Sequence, residues 1–158
     1  MKELKYLVIH CTATPEGRAV TPQDIRQWHL SPLPKGRGWK QVGYSDMIML
    51  DGTVENLVRY DDDQYVQPWE TTNGVAGINN VSRHVVYVGG CDANMKAKDT
   101  RTTQQKIALI RYLFDFIKKH PNILIAGHNQ FAPKACPSFS VPEWLCSIKI
   151  PKRNIYSI

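Results

Sequence analysis

The stretch "HNQFAPKAC" (128–136) places an imidazole, an ammonium group and a thiol within nine residues, as His128, Lys134 and Cys136. A thiol near a cation gives up its proton more readily, which suits either a nucleophile or a metal ligand. Two chemistries fit the pair. In one, Cys136 attacks a carbonyl and His128 serves as its base. In the other, both residues bind zinc and a third ligand arrives from a distant strand. His10 is the candidate, because it ends the apolar run "YLVIH" much as His128 ends "NILIAGH". Two strand ends in one sheet lie side by side and bring both imidazoles to one rim. Three ligands leave zinc's fourth position for water, the pattern of a catalytic site. Cys11 follows His10 directly, but successive strand residues face opposite ways, so it is not expected to share the metal. His29, His84 and His120 are expected in ordinary roles: on a helix, at a strand start and at a helix end.

Positioning these groups requires a sheet. "LKYLVIHCTA" (4–13) is rich in β-branched and aromatic residues and reads as a buried strand. "TPQD" (21–24) opens a helix, with Thr21 as cap, Pro22 in the first turn and Asp24 closing the box. "SPLPKGRGW" (31–39) is a loop. Two strand-like runs around Asp51-Gly52 (44–58) predict a hairpin, and "HVVYVGG" (84–90) predicts another strand. "TTQQKIALIRYLFDFIKKH" (102–120) predicts a helix with Thr102 and Gln105 as its capping box. Ile107, Ile110, Leu113, Phe114 and Ile117 form its apolar face, and Lys118, Lys119 and His120 suit its negative end. "NILIAGH" is then a strand, and "VPEWLCSI" (141–148) a final short helix. The order implies an α/β (α+β) fold, a single domain over 1–158 with a central mixed β-sheet flanked by helices. Residues 147–158 are expected to form a short basic C-terminal tail.

Composition narrows the class. A chain of 158 residues with 42% hydrophobic content is long enough for one buried core and is not that of a disordered protein. No apolar run reaches the length of a membrane span. The N-terminal run is of strand length, so synthesis in the cytoplasm without a signal peptide is expected. The net charge of +6 is spread out; "KKH" and "KIPKR" are its densest groups, and neither is an aromatic-interleaved basic stripe. Neither nucleic-acid binding nor membrane insertion is expected, and the chain is expected to be a monomer. The four cysteines form no CxxC pair and are expected to stay reduced.

Five segments together carry a resemblance: "VIHCTAT" (8–14), "IRQWH" (25–29), "RGWKQVGYSDMIMLDGTVE" (37–55), "VYVGG" (86–90) and "HNQFAPKACPSF" (128–139). In this order the chain resembles the zinc-dependent N-acetylmuramoyl-L-alanine amidases of the phage lysozyme type. That superfamily includes the peptidoglycan-recognition proteins. The resemblance implies a peptidoglycan-recognition-protein-like fold and one catalytic zinc ion on His10, His128 and Cys136. It further implies Tyr44 and Lys134 as the catalytic pair around a zinc-activated water. The expected substrate is peptidoglycan, cut between N-acetylmuramic acid and L-alanine. A phage or prophage lysis enzyme, or an exported toxin, would reach the wall after release or export by another system. The alternatives are a binding module on the same fold that does not cut, and a metal-free cysteine hydrolase. The sequence also departs from the family pattern. Ser45 and Asp46 follow the tyrosine where histidine is usual, Gly74 stands at a usual histidine, and Arg83-His84 replace Ile-Gly. In the family these positions line or support the substrate groove.

Overall fold

Six consecutive residues, Tyr6–Cys11, form the strand through which the whole sheet is organised. Their apolar character is nearly continuous, as expected where both faces of a parallel sheet are covered. The computed structural model describes residues 1–157. In chain order its strands are β1 (Lys2–Glu3), β2 (Tyr6–Cys11), β3 (Thr14–Pro15), β4 (Asp46–Ile48) and β5 (Val54–Asn56). They continue with β6 (Tyr65–Val66), β7 (Ser82–Tyr87), β8 (Gly90–Cys91) and β9 (Leu124–Gly127). The helices are α1 (Pro22–Leu30), α2 (Thr103–Lys119) and α3 (Val141–Ser147).

The main sheet runs β5-β4-β7-β2-β9, with β5 antiparallel and the other pairings parallel. This is the mixed sheet flanked by helices that the order of elements predicted. Alternation along β2 sends Leu7, Ile9 and Cys11 into a core with Leu109, Leu113, Val141 and Leu145, beneath α2 and α3. The opposite face carries Ile25 of α1 with Met47, Val86 and Val88. His10 points to this second side. The predicted hairpin forms, with shorter strands and Gly52 at φ +87° in its turn.

Helix α1 starts where the sequence placed it: Thr21 Oγ1 accepts the Asp24 N–H at 3.1 Å and Thr21 N–H donates to Asp24 Oδ2 at 2.9 Å. Thr102 and Gln105 cap α2 in the same way. The face of α2 differs from expectation. Gln105, Leu109, Leu113 and Phe116 are buried, whereas Ile107 and Phe114 remain 47% and 41% exposed. Apolar residues occur all round this helix, so spacing alone does not select a face. The choice is anchored by Gln105, whose Nε2 donates to the Val88 carbonyl at 2.9 Å. His120 also departs from its expected role. Burial, then the charge of Arg83, lowers its pKa, so it caps α2 as a neutral ring and not as a cation.

Another polar feature of the core is an ion pair. Arg83 Nη2 meets Glu70 Oε2 at 2.9 Å with both side chains out of solvent, and Glu70 also accepts the N–H groups of Asp61 and Gln67. Removing one member of such a pair strands a buried charge and costs about 3–5 kcal/mol. Glu70→Ala is therefore expected to lower the urea midpoint sharply by circular dichroism. Lys98→Ala, which breaks an exposed pair with Glu16, should leave that midpoint in place.

Candidate active site

The register of the parallel strands brings the first two candidate ligands together. Ile9 of β2 pairs with Gly127 of β9, so His10 and His128 follow side by side at the carboxyl ends of neighbouring strands. Their ring centroids are 4.7 Å apart. Ligands in open α/β sheets collect at such carboxyl ends.

The loop from 128 to 136 folds back on itself, as its sequence suggested. A turn of 3₁₀ helix at His128–Gln130 opens it, and Gln130 Oε1 accepts the Gly127 N–H at 2.9 Å. Asn129 N–H then donates to the Cys136 carbonyl at 2.8 Å and closes the loop's two ends together. The thiol is held from the other side by the Cys11 N–H, 3.2 Å from Cys136 Sγ. Cys136 Sγ lies 3.8 Å from His10 Nδ1. One donor atom from each of His10, His128 and Cys136 falls within 4.8 Å of the others.

This set fits zinc by its chemistry. Tetrahedral zinc with ordinary Zn–N and Zn–S lengths separates its ligand atoms by about 3.3–3.7 Å, close to the sulfur–nitrogen spacing found. Burial first, and then the charges of His84, His128 and Lys134, push His10 well below its usual pKa. Burial and Lys134 lower His128 in the same way. Both imidazoles thus offer lone pairs at neutral pH. A side-chain hydrogen bond with the Cys11 thiol, then burial, hold the Cys136 thiol above its usual value, while the Cys11 N–H and Lys134 pull it down. A metal ion bound there therefore displaces a proton from the sulfur.

The remaining candidates surround this cluster. The Tyr44 ring lies tilted against the His10 ring, centroids 5.1 Å apart, and burial raises its phenol pKa, so it stays a hydrogen-bond donor. Lys134 is exposed and lines the same cleft of about 560 Å³, with Trp39, Asn73, Phe131 and Arg37. Cys11 turns its sulfur toward Ser138, meets Cys136 through its backbone N–H as well, and stands outside the three-residue set.

Three contributions were not read from the sequence. His84 was expected to be an ordinary strand residue, yet its Nδ1 lies 2.9 Å from His10 Nε2. Its partner across β2 is Val8, so both histidines share one face, a relation visible only once the register is fixed. Asn79 holds the far side of His84, at 2.9 Å from its Nε2. Finally, the C-terminal residues brace the 128–136 loop: Gln130 Nε2 donates to the Tyr156 carbonyl, and Tyr156 stacks on Phe131 at 4.9 Å.

The residues 1–139 match the protein family described as N-acetylmuramoyl-L-alanine amidase. The chain belongs to that family. Among curated relatives of this amidase, the endolysin of Enterobacteria phage K11 is 37% identical over 144 residues, covering 91% of this chain and 87% of the relative. Among solved structures, the Ph2119 endolysin from the Thermus scotoductus MAT2119 bacteriophage superposes with a TM-score of 0.69 at 23% identity. The match spans 99% of the amidase and 88% of that chain. The bumblebee protein PGRP-SA shares the fold with a TM-score of 0.69 at 19% identity, over 99% of the amidase and 86% of that chain. The amidase is thus an enzyme of peptidoglycan hydrolysis on a fold shared with peptidoglycan-recognition proteins.

His29 supplies a pH test of the cleft wall. Its Nδ1 accepts the Gly43 N–H at 3.0 Å, and burial with the nearby Arg37 lowers its pKa to about 4. A group whose folded pKa is depressed stabilises fully above its unfolded value near 6.5 and loses that contribution as pH falls toward about 4. His29→Gln is expected to flatten this part of the acid limb when thermal unfolding of the metal-free protein is followed against pH.

Proposed function

We propose that this amidase holds one zinc ion on His10, His128 and Cys136 and cleaves the bond between N-acetylmuramic acid and L-alanine in peptidoglycan. The observation that carries the reading is the convergence of two neutral imidazoles and one thiol within 4.8 Å, beneath an open cleft. When bound, zinc supplies a Lewis acid that lowers the pKa of water to about 7 and polarises a carbonyl.

The chain's own residues do the rest. The cleft wall of Trp39, Asn73 and Phe131 receives the muramyl peptide and places its lactyl carbonyl over the three ligands. Water oxygen adds to that carbonyl carbon, the carbon–nitrogen bond breaks, and the proton lost by water leaves on the alanine amine. Lys134 faces the developing oxyanion with a positive charge. Tyr44, kept protonated by burial, donates a hydrogen bond at the same centre. Among the described residues no helix is long and apolar enough to cross a membrane.

Elemental analysis should find one zinc per chain, and chelation should stop release of stem peptide from purified muropeptides. Full activity in zinc-stripped protein would sink the reading and leave a cysteine hydrolase in its place. His10→Ala, His128→Ala and Cys136→Ser should each lose the metal. Lys134→Ala should keep it but lower kcat by about 10²–10³-fold, the usual loss for one oxyanion donor.

A further inference from the structure

One chain of hydrogen bonds leads from the backbone into the proposed metal site, and each link fixes the direction of the next. The Val75 N–H lies 2.8 Å from Asn79 Oδ1. A backbone N–H only donates, so the atom it meets is the amide oxygen and the orientation of the Asn79 side chain is set. The same oxygen lies 2.9 Å from His84 Nε2, which must therefore carry a hydrogen. His84 is wholly buried with its hydrogen placed on Nε2, which leaves its Nδ1 as the acceptor toward His10. His10 Nε2 sits 2.9 Å from that acceptor and must donate. The lone pair of His10 then resides on Nδ1, the atom 3.8 Å from Cys136 Sγ.

We propose that His84 and Asn79 are positioning residues that lock the tautomer and ring orientation of His10, aiming Nδ1 at the metal. The proposal rests on the zinc reading given above. Ligating histidines commonly give their second N–H to a carboxylate or carbonyl, and such partners fix the ligand. Here a second imidazole takes that place and hands the constraint on to an amide.

Gly74 belongs to the same device. A Cβ added there would stand 2.3 Å from His84 Nδ1 and 2.4 Å from its Cγ. Only glycine leaves room for the ring. The two departures from the family pattern, Gly74 and His84, are therefore one spatial exchange: the side chain missing from one segment makes space for the imidazole supplied by the other.

Zinc affinity, measured by competition with a chromophoric chelator, tests the proposal together with the His10 tautomer read from ¹⁵N-labelled metal-free protein by NMR. Wild type should show His10 protonated at Nε2 before any metal is added. His84→Ala and Asn79→Ala should weaken zinc binding by about 10–100-fold, and Gly74→Ala should act like His84→Ala. Asn79→Asp, whose carboxylate still accepts from His84, should restore both the affinity and the tautomer. A purely structural role predicts no such rescue and no change of tautomer. If His84→Ala fails to fold, the half-buried Asn79 variants decide the matter. A folded Asn79→Ala protein binding zinc as tightly as wild type would overturn the proposal alone, as would His10 protonated at Nδ1. Wild type that binds no zinc would instead overturn the reading on which it rests.

Discussion

Parallel pairing of β2 with β9 sets the spacing between His10 and His128, and the chemistry of the cleft is built outward from that pair. Because Ile9 lies against Gly127, the next residue of each strand emerges at the same edge. β2 also has a neighbour on its other side, since β7 pairs along its whole length. A slip of one residue would turn His10 to the α2 face and exchange it for Cys11, whose sulfur now packs in the other core. The buried alternation of β2 thus protects both the core and the imidazole's aim. Helices α2 and α3 hold that register by covering one face, while α1 covers the other.

Around this fixed pair the remaining groups are tied by short polar links and not by bulk packing. The 128–136 loop is closed by a single backbone bond from Asn129 to Cys136, and the sulfur is met by a backbone N–H of β2. Backbone donors hold their positions better than long side chains, which suits a sulfur proposed as a metal ligand, whose aim must hold to fractions of an ångström. Lys134, in contrast, stands exposed on the same loop. The exposed cation and the hydrogen-bonded thiol are thus carried by one segment.

Much of this was legible in the sequence. Residue type and strand-end position made His10, His128 and Cys136 candidates to meet, and the resemblance named them as a set; the caps at Thr21 and Thr102, the hairpin at Gly52 and the mixed sheet follow from local pattern. What local pattern does not contain is register and rotation. The buried face of α2 depends on Gln105 reaching a carbonyl of another element, and its apolar residues point in too many directions to reveal that. His84 looks like any strand histidine until its alignment with Val8 places it beside His10. Likewise, nothing near Gln130 in sequence announces that Tyr156 will support it.

The close fit of the His84 ring over Gly74 also constrains the routes by which this sequence can change. A side chain at position 74 is barred while the imidazole is present, and the imidazole has no room unless glycine is already there. Glycine must come first and leave last. Substitutions at these two sites, ten residues apart in the chain, are therefore order-dependent, and a lineage that has taken both steps retraces them only in reverse.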